Sequence, residues 1–182
     1  AQPVKCINFL MYPYFRLIKL VARRFFSAKE NPENTTSKLK IRVWPHDLDP
    51  FLELNNGRYV TLLDLGRFDF VLKIKLHKLL KRKKWSLTVA GTYNEYRHRI
   101  RLFQSFTLTT TIIGYDERWF YFLQKAERNG KIHFSSVVKT AFTSADGLVS
   151  AKIAIKEMNL EHLDISLPDW VHPLTSQEII KK

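Results

Sequence analysis

The sequence predicts an α+β fold, with an antiparallel sheet wrapped around one long central helix and an extra N-terminal amphipathic helix ahead of it. Three observations carry this. One helix-periodic stretch runs from residue 56 to about 80, alternating strand-like stretches fill the chain after it, and Asn129-Gly130 and Asp146-Gly147 mark turns between them. A helix followed by a run of strands is the order of a layered α+β domain. With 182 residues, 45% apolar and 13% aromatic, the chain has the material for one such core.

At the N-terminus, "CINFLMYPYF" is an uncharged apolar run, too short for a bilayer span and interrupted by Pro13. In "RLIKLVARRFF", Arg16, Lys19 and Arg23 share one helical face, with Leu17, Leu20, Val21, Phe25 and Phe26 largely elsewhere. This basic amphipathic helix and its linker take up residues 1–30, and the helix either lies on an anionic membrane surface or packs on its own domain or a partner subunit. "SAKENPENTTSK", residues 27–38, is polar and Pro-interrupted, so the linker extends through it.

The main domain is expected over residues 36–155. "LKIRVW" alternates as a half-buried strand. In the helix, Leu65, Phe68, Leu72, Leu76 and Leu79 form one stripe and Tyr59, Leu62, Leu63, Gly66 and Phe70 an adjoining one, so it is covered on more than one side. "WSLTVAGTYNEY", "SFTLTTTII", "RWFYFLQKAER" and "KIHFSSVVKTAF" read as strands, and "LVSAKIAI" as a last edge. Residues 156–182 form a tail with mixed polarity and two prolines, expected to cover the domain edge loosely.

A formal charge of +13 draws anions, whether nucleic acid, acidic lipid or a phosphorylated small molecule. No nucleic-acid reader motif accompanies it, and the aromatics follow core-like strand patterns, so nucleic acid is not the expected partner. Cys6 is the single cysteine, which rules out an internal disulfide framework and suggests a reducing compartment. The six histidines show no metal-ligand spacing, and neither a metal nor a cofactor is expected.

The stretch that carries chemistry is "DLDPFLELNNGRY", residues 47–59, between the first strand and the long helix. A carboxylate beside a helix N-terminus joins a nucleophile or base to a source of positive potential, the pair that acyl transfer needs. Asp49-Pro50 also reads as a plain surface turn, and Asn55 or Asn56 as a helix cap. Asp64 and Arg67, three apart, can pair on the helix surface. Gly91 inside a strand signals either a close ligand or a bulge. Arg97, Arg99 and Arg101 alternate on one expected strand face, and Lys73 to Lys84 is a second basic run without an acid.

Strand, Asp-x-Asp, then Asn-Asn-x-x-Tyr at the start of a long helix resembles the hotdog-fold thioesterases, in particular the 4-hydroxybenzoyl-CoA thioesterase-like branch, over roughly residues 39–145. The resemblance implies a hotdog fold, a homodimer or dimer of dimers, and hydrolysis of an acyl-CoA thioester. It implies Asp49 as catalytic nucleophile or general base, with Asn55, Asn56 and Gly57 supporting the loop and the oxyanion. Tyr59, Asp64, Gly91, Thr92, Tyr93 and Glu95 would line the pocket, and Arg97, Arg99 and Arg101 would meet the phosphates of coenzyme A. Where many members carry Gly-His, this chain has Leu52-Glu53, which makes Glu53 a candidate second carboxylate. That departure also leaves open a non-catalytic acyl-CoA or acyl-carrier-protein binding module. A cytoplasmic protein, peripheral at the membrane through its N-terminal helix, is the expected setting.

Overall fold

The computed structural model describes residues 13–26, 36–160 and 166–171, with the side chains of Phe25 and Phe26 left aside. The apolar run before Pro13 and most of the linker lie outside the described residues. Helix α1 (Tyr14–Phe26) precedes strand β1 (Thr36–Arg42) and a 3-10 turn, Pro45–Asp47. Then come α2 (Asn56–Lys73), α3 (Leu76–Lys83), β2 (Ser86–Tyr96), β3 (Ser105–Tyr115), β4 (Phe120–Arg128), β5 (Lys131–Ser144), β6 (Gly147–Val149) and α4 (Ala151–Glu157). The strands form one antiparallel sheet in the order β1-β3-β4-β5-β2, with β6 paired to β5.

Alternation builds the core: β3 buries every second residue, and its Phe106 and Leu108 meet Leu62, Leu63, Leu65 and Phe70 of α2 in one cluster with Phe122 and Phe134. Gly66 marks the closest approach of helix and sheet. A Cβ there would stand 2.7 Å from Leu108 and Thr110 and 2.8 Å from Gln124, so only glycine lets α2 sit this deep. At the same level a polar network is closed inside the core. Arg67 Nη1 donates to Gln124 Oε1 at 2.7 Å, while Gln124 Nε2 donates to the Leu63 carbonyl at 3.0 Å and Thr110 Oγ1 at 2.9 Å. Satisfied buried groups of this kind fix the helix's depth and rotation together.

The structure corrects five expectations. The long helix breaks at Ile74 and Lys75, where Lys75 takes φ 58°, and restarts as α3. The strand at residues 36–42 starts within the expected linker, because Thr36, Ser37 and Lys38 pair with Thr111, Thr110 and Thr109. "LVSAKIAI" is a three-residue strand followed by α4, whose Ala151, Ala154 and Ile155 are buried against Val71, Leu76, Leu79 and Phe142. The tail is not loose throughout: Leu160 and Val171 are buried, and a Cβ on Gly114 would come within 2.5 Å of Leu167 Cα. Finally, β2 ends at Tyr96, so Arg97, Arg99 and Arg101 lie on the connection to β3 rather than along one strand face.

Helix α1 is the other departure, since the expected basic face is divided. Arg16 and Arg24 turn inward with Leu20, while Lys19 and Arg23 stay exposed. Tyr14, Phe15, Ile18 and Val21 point outward, Phe15 with 81% of its surface exposed. No helix among the described residues is long and apolar enough to cross a membrane.

Candidate active site

The loop between β1 and α2 is built on Asp47. Its side chain is completely buried yet fully engaged. Arg16 donates to both carboxylate oxygens at 3.1 and 2.5 Å, Arg58 donates to Oδ1 through Nε and Nη2 at 3.2 and 3.0 Å, and the Trp44 N–H donates to Oδ2 at 2.9 Å. Burial alone would raise this carboxyl, but the hydrogen bonds from Arg16, Trp44 and Arg58 and the charge of Arg16 outweigh it and hold Asp47 below its ordinary range. The Asp47 carbonyl accepts the Asn55 N–H at 2.9 Å, so the same residue ties the end of β1 to the start of α2.

Asp49, two residues on, has the opposite environment. Leu48 bridges Leu54, and the Asp49 N–H donates to the Glu53 carbonyl at 2.9 Å, closing a small hairpin. At its tip the N–H groups of Phe51 and Glu53 donate to Asp49 Oδ1 at 2.9 and 3.3 Å, leaving Oδ2 without a hydrogen bond among the described residues. The turn that Asp-Pro offered as one reading is therefore present. Leu52 takes φ 58° at this tip, a left-handed conformation that glycine adopts at less cost.

Asn55 is the cap of α2: its Oδ1 accepts the N–H of Gly57 at 2.8 Å and of Arg58 at 3.2 Å. Gly57 therefore supports the loop, its own N–H being used. The exposed Asn56 N–H, at the first helical position, carries no hydrogen bond among the described residues and stands at the positive end of the helix.

Tyr59 is buried, stacked on Phe134 with centroids 4.6 Å apart and edge-on to Tyr96 at 5.6 Å. Burial first, then the nearby Glu53 carboxylate, pushes its phenol well above the usual range, so it stays protonated. Tyr96 OH donates to the Asn56 carbonyl at 3.4 Å and joins the end of β2 to the start of α2. Asp64 pairs with Arg67, yet its partly buried carboxyl is raised, because desolvation exceeds the attraction of that arginine.

Not every predicted residue joins this cluster. Glu53 is held by Arg99 at 2.9 Å, and Arg97 by Glu95 at 2.9 Å, with Ser135 also donating to Glu95 at 3.1 Å. Gly91, Thr92 and Tyr93 lie along the outer edge of β2, roughly 10 to 17 Å up the strand from Tyr96. The register shifts between Val89 and Gly91, and a Cβ on Gly91 would meet nothing within 4 Å, so within this chain the glycine marks a bulge.

Sequence reasoning missed Arg58, Tyr96 and the inward turn of Arg16. One signal was present: Arg58 is a cation in the first turn of a helix, where the dipole disfavours it unless a carboxylate is at hand.

An antiparallel sheet wrapped on a central helix defines the hotdog class. A family model of the Thioesterase-like superfamily matches residues 43–163, and the chain belongs to that superfamily. Among curated relatives, Protein THEM6 of Xenopus laevis is 32% identical over 83 residues, 46% of this chain and 40% of its own length. The match thus spans about two-fifths of that relative. Of solved structures, the YbaW probable thioesterase from Escherichia coli aligns with TM-score 0.63 at 16% identity, covering 68% of this chain and 96% of its own. A 4-hydroxybenzoyl CoA thioesterase solved with 4-hydroxybenzoyl CoA aligns with TM-score 0.59 at 12% identity, covering 68% and 98%. At these identities the structural likeness establishes the hotdog fold.

Proposed function

We propose that this protein hydrolyses an acyl-CoA thioester to the free acid and coenzyme A, with Asp49 as nucleophile or general base. The observation that carries the reading is the Asp49 turn: one carboxylate oxygen fixed by two backbone N–H groups, the other open, beside the N-terminus of α2. As nucleophile, Asp49 would add to the thioester carbonyl and expel the coenzyme A thiolate, leaving an acyl anhydride that water cleaves to regenerate the carboxylate. As base, it would take a proton from the attacking water. Either route develops negative charge on the former carbonyl oxygen, where the Asn56 N–H and the helix dipole are stabilising. Tyr59, held protonated, serves as a wall of the pocket and not as a base.

A homodimer fits the edge strand β2, and coenzyme A phosphates fit the 97–101 connection best at Arg101, whose side chain has no ion pair among the described residues. We also propose that α1 rests on an anionic membrane surface, supported by its outward Phe15 and Ile18 flanked by Lys19 and Arg23 and testable by vesicle binding.

One observation favours a binding module without turnover. Glu53, the candidate second carboxylate, is already engaged by Arg99. Release of free coenzyme A from short, medium, long and aromatic acyl-CoAs, comparing the wild type with Asp49→Ala, decides between them. The expected outcome is turnover on one chain-length class that falls by about a thousandfold in Asp49→Ala, the scale of losing a nucleophile or base. Tight acyl-CoA binding without turnover in the wild type would instead establish the binding module.

A further inference from the structure

Asp47 is the residue on which the Asp49 turn is built, and three segments meet there: the connection after β1 through the Trp44 N–H, the first turn of α2 through Arg58, and α1 through Arg16. Of the residues that hold the carboxylate, only Arg16 lies outside residues 43–163, the region that the family model covers. Arg16 reaches the carboxylate across 31 positions of sequence, with its Nη2 also donating to the Arg42 carbonyl at 2.9 Å. A planar guanidinium that holds both carboxylate oxygens and a backbone carbonyl fixes rotation as well as position.

We propose that Arg16 is a positioning residue of the active site: through Asp47, α1 sets the loop that presents Asp49. This rests on the proposed role of Asp49. The path is short and made of named bonds. Arg16 holds the Asp47 side chain, the Asp47 carbonyl holds the Asn55 N–H, and Leu54 bridges Leu48 beside Asp49. Misplacing a reacting group by about 1 Å can cost a hundredfold in rate, so a loosened loop is felt in turnover before substrate affinity.

The same helix contains its own control. Arg24 grips the buried Asp69 of α2 at 2.7 and 2.6 Å, a clasp of the same kind. Asp69 lies thirteen positions past Asn56, about 20 Å along the helix from the loop. Breaking either clasp loosens α1, but only the Arg16 clasp touches the loop.

The test compares Arg16→Ala, Arg16→Lys and Arg24→Ala in the full chain by acyl-CoA kinetics, melting temperature and amide hydrogen exchange. Arg16→Ala is expected to lower kcat about ten- to a hundredfold with KM within about twofold, and to speed exchange of residues 47–55 at least about tenfold. Arg16→Lys, which keeps the charge and loses the fork, is expected to recover part of kcat. Arg24→Ala is expected to lower the melting temperature comparably while leaving kcat within about twofold and the loop's exchange unchanged. Turnover that follows melting temperature equally in both alanine variants would overturn the proposal, as would unchanged loop exchange in Arg16→Ala. If the wild type turns over no acyl-CoA, the catalytic reading fails on its own. The exchange comparison then still decides whether α1 braces the loop. Should Arg16→Ala not fold, Arg16→Lys decides: wild-type kcat and loop exchange in that variant would overturn the proposal.

Discussion

Asp47 and Asp49 are the same residue type two positions apart, and their surroundings are opposite. Asp47, buried under two arginines and a backbone N–H, has its charge held in place, whereas Asp49 keeps one oxygen open. The sign of the pH dependence follows. Because the folded Asp47 carboxyl lies below its unfolded value near 3.9, the stability it contributes is fully present above that value and is lost as the pH falls through the folded one. Asp64 runs the other way: raised by burial, it contributes stability that is present below the unfolded value and lost as the pH rises through the folded one. Carboxyl-carbon chemical shifts followed against pH are expected to place the Asp47 midpoint below, and the Asp64 midpoint above, that of an exposed aspartate. An Asp47 midpoint at or above the exposed value would mean that the arginine clasp does not hold in solution. Asp47→Ala is expected to cost about 3 kcal/mol in urea denaturation, because it strips the partner from Arg16 and Arg58. Of the pair, the motif made only the spacing legible. It could not show what pays for burying Asp47, since Arg16 lies 31 residues upstream and local spacing cannot report a contact of that range.

At the level of elements, the strands were readable because one face is buried and the other is wetter, which leaves a period of two in the sequence. The helix break was not. Lys75 adopts a left-handed conformation without a glycine or proline to announce it, and the apolar periodicity continues across it through Leu72, Leu76 and Leu79. Gln124 was readable in principle, as a polar residue on the inward face shared by Phe122 and Ala126. Helix α1 packs on its own domain, one of its two expected settings, but the division of its charges was not legible. Charge periodicity identifies a basic stripe but not whether buried carboxylates await it, and two do, at Asp47 and Asp69. With Arg16 and Arg24 turned in, the outward face is apolar at Tyr14, Phe15, Ile18 and Val21, beside exposed Lys19 and Arg23. That is the composition of a helix seated at a lipid interface, with apolar area and cations acting together. The full chain is therefore expected to co-sediment with vesicles containing phosphatidylserine more than with neutral ones. The double variant Phe15→Ser/Ile18→Ser is expected to bind at least about tenfold more weakly, by the apolar area removed. Equal binding by wild type and variant would assign the exposed face to something other than lipid.

For the whole molecule, the two edges of the sheet differ. β1 carries alternating exposed Lys38, Lys40 and Arg42, charges of the kind that discourage strand addition. The other edge, β2, has no charge or proline from Ser86 to Asn94 and leaves Val89 and Tyr93 about half exposed. A nine-residue run of edge without charge or proline is suited to pairing, and a second copy would supply an identical strand. Pairing about a twofold axis would cover Gly91, Thr92 and Tyr93. Sedimentation equilibrium is expected to show the wild type at twice the chain mass of 21.5 kDa. Tyr93→Lys would place a charge from each chain within that seam, so it is expected to sediment as a monomer with an unchanged far-ultraviolet spectrum. If the partner completes the pocket, the monomeric variant loses acyl-CoA turnover along with the dimer. A variant that is monomeric and fully active would show that one chain holds the whole site, and a wild type that sediments at the single-chain mass would leave β2 as an edge awaiting a different partner.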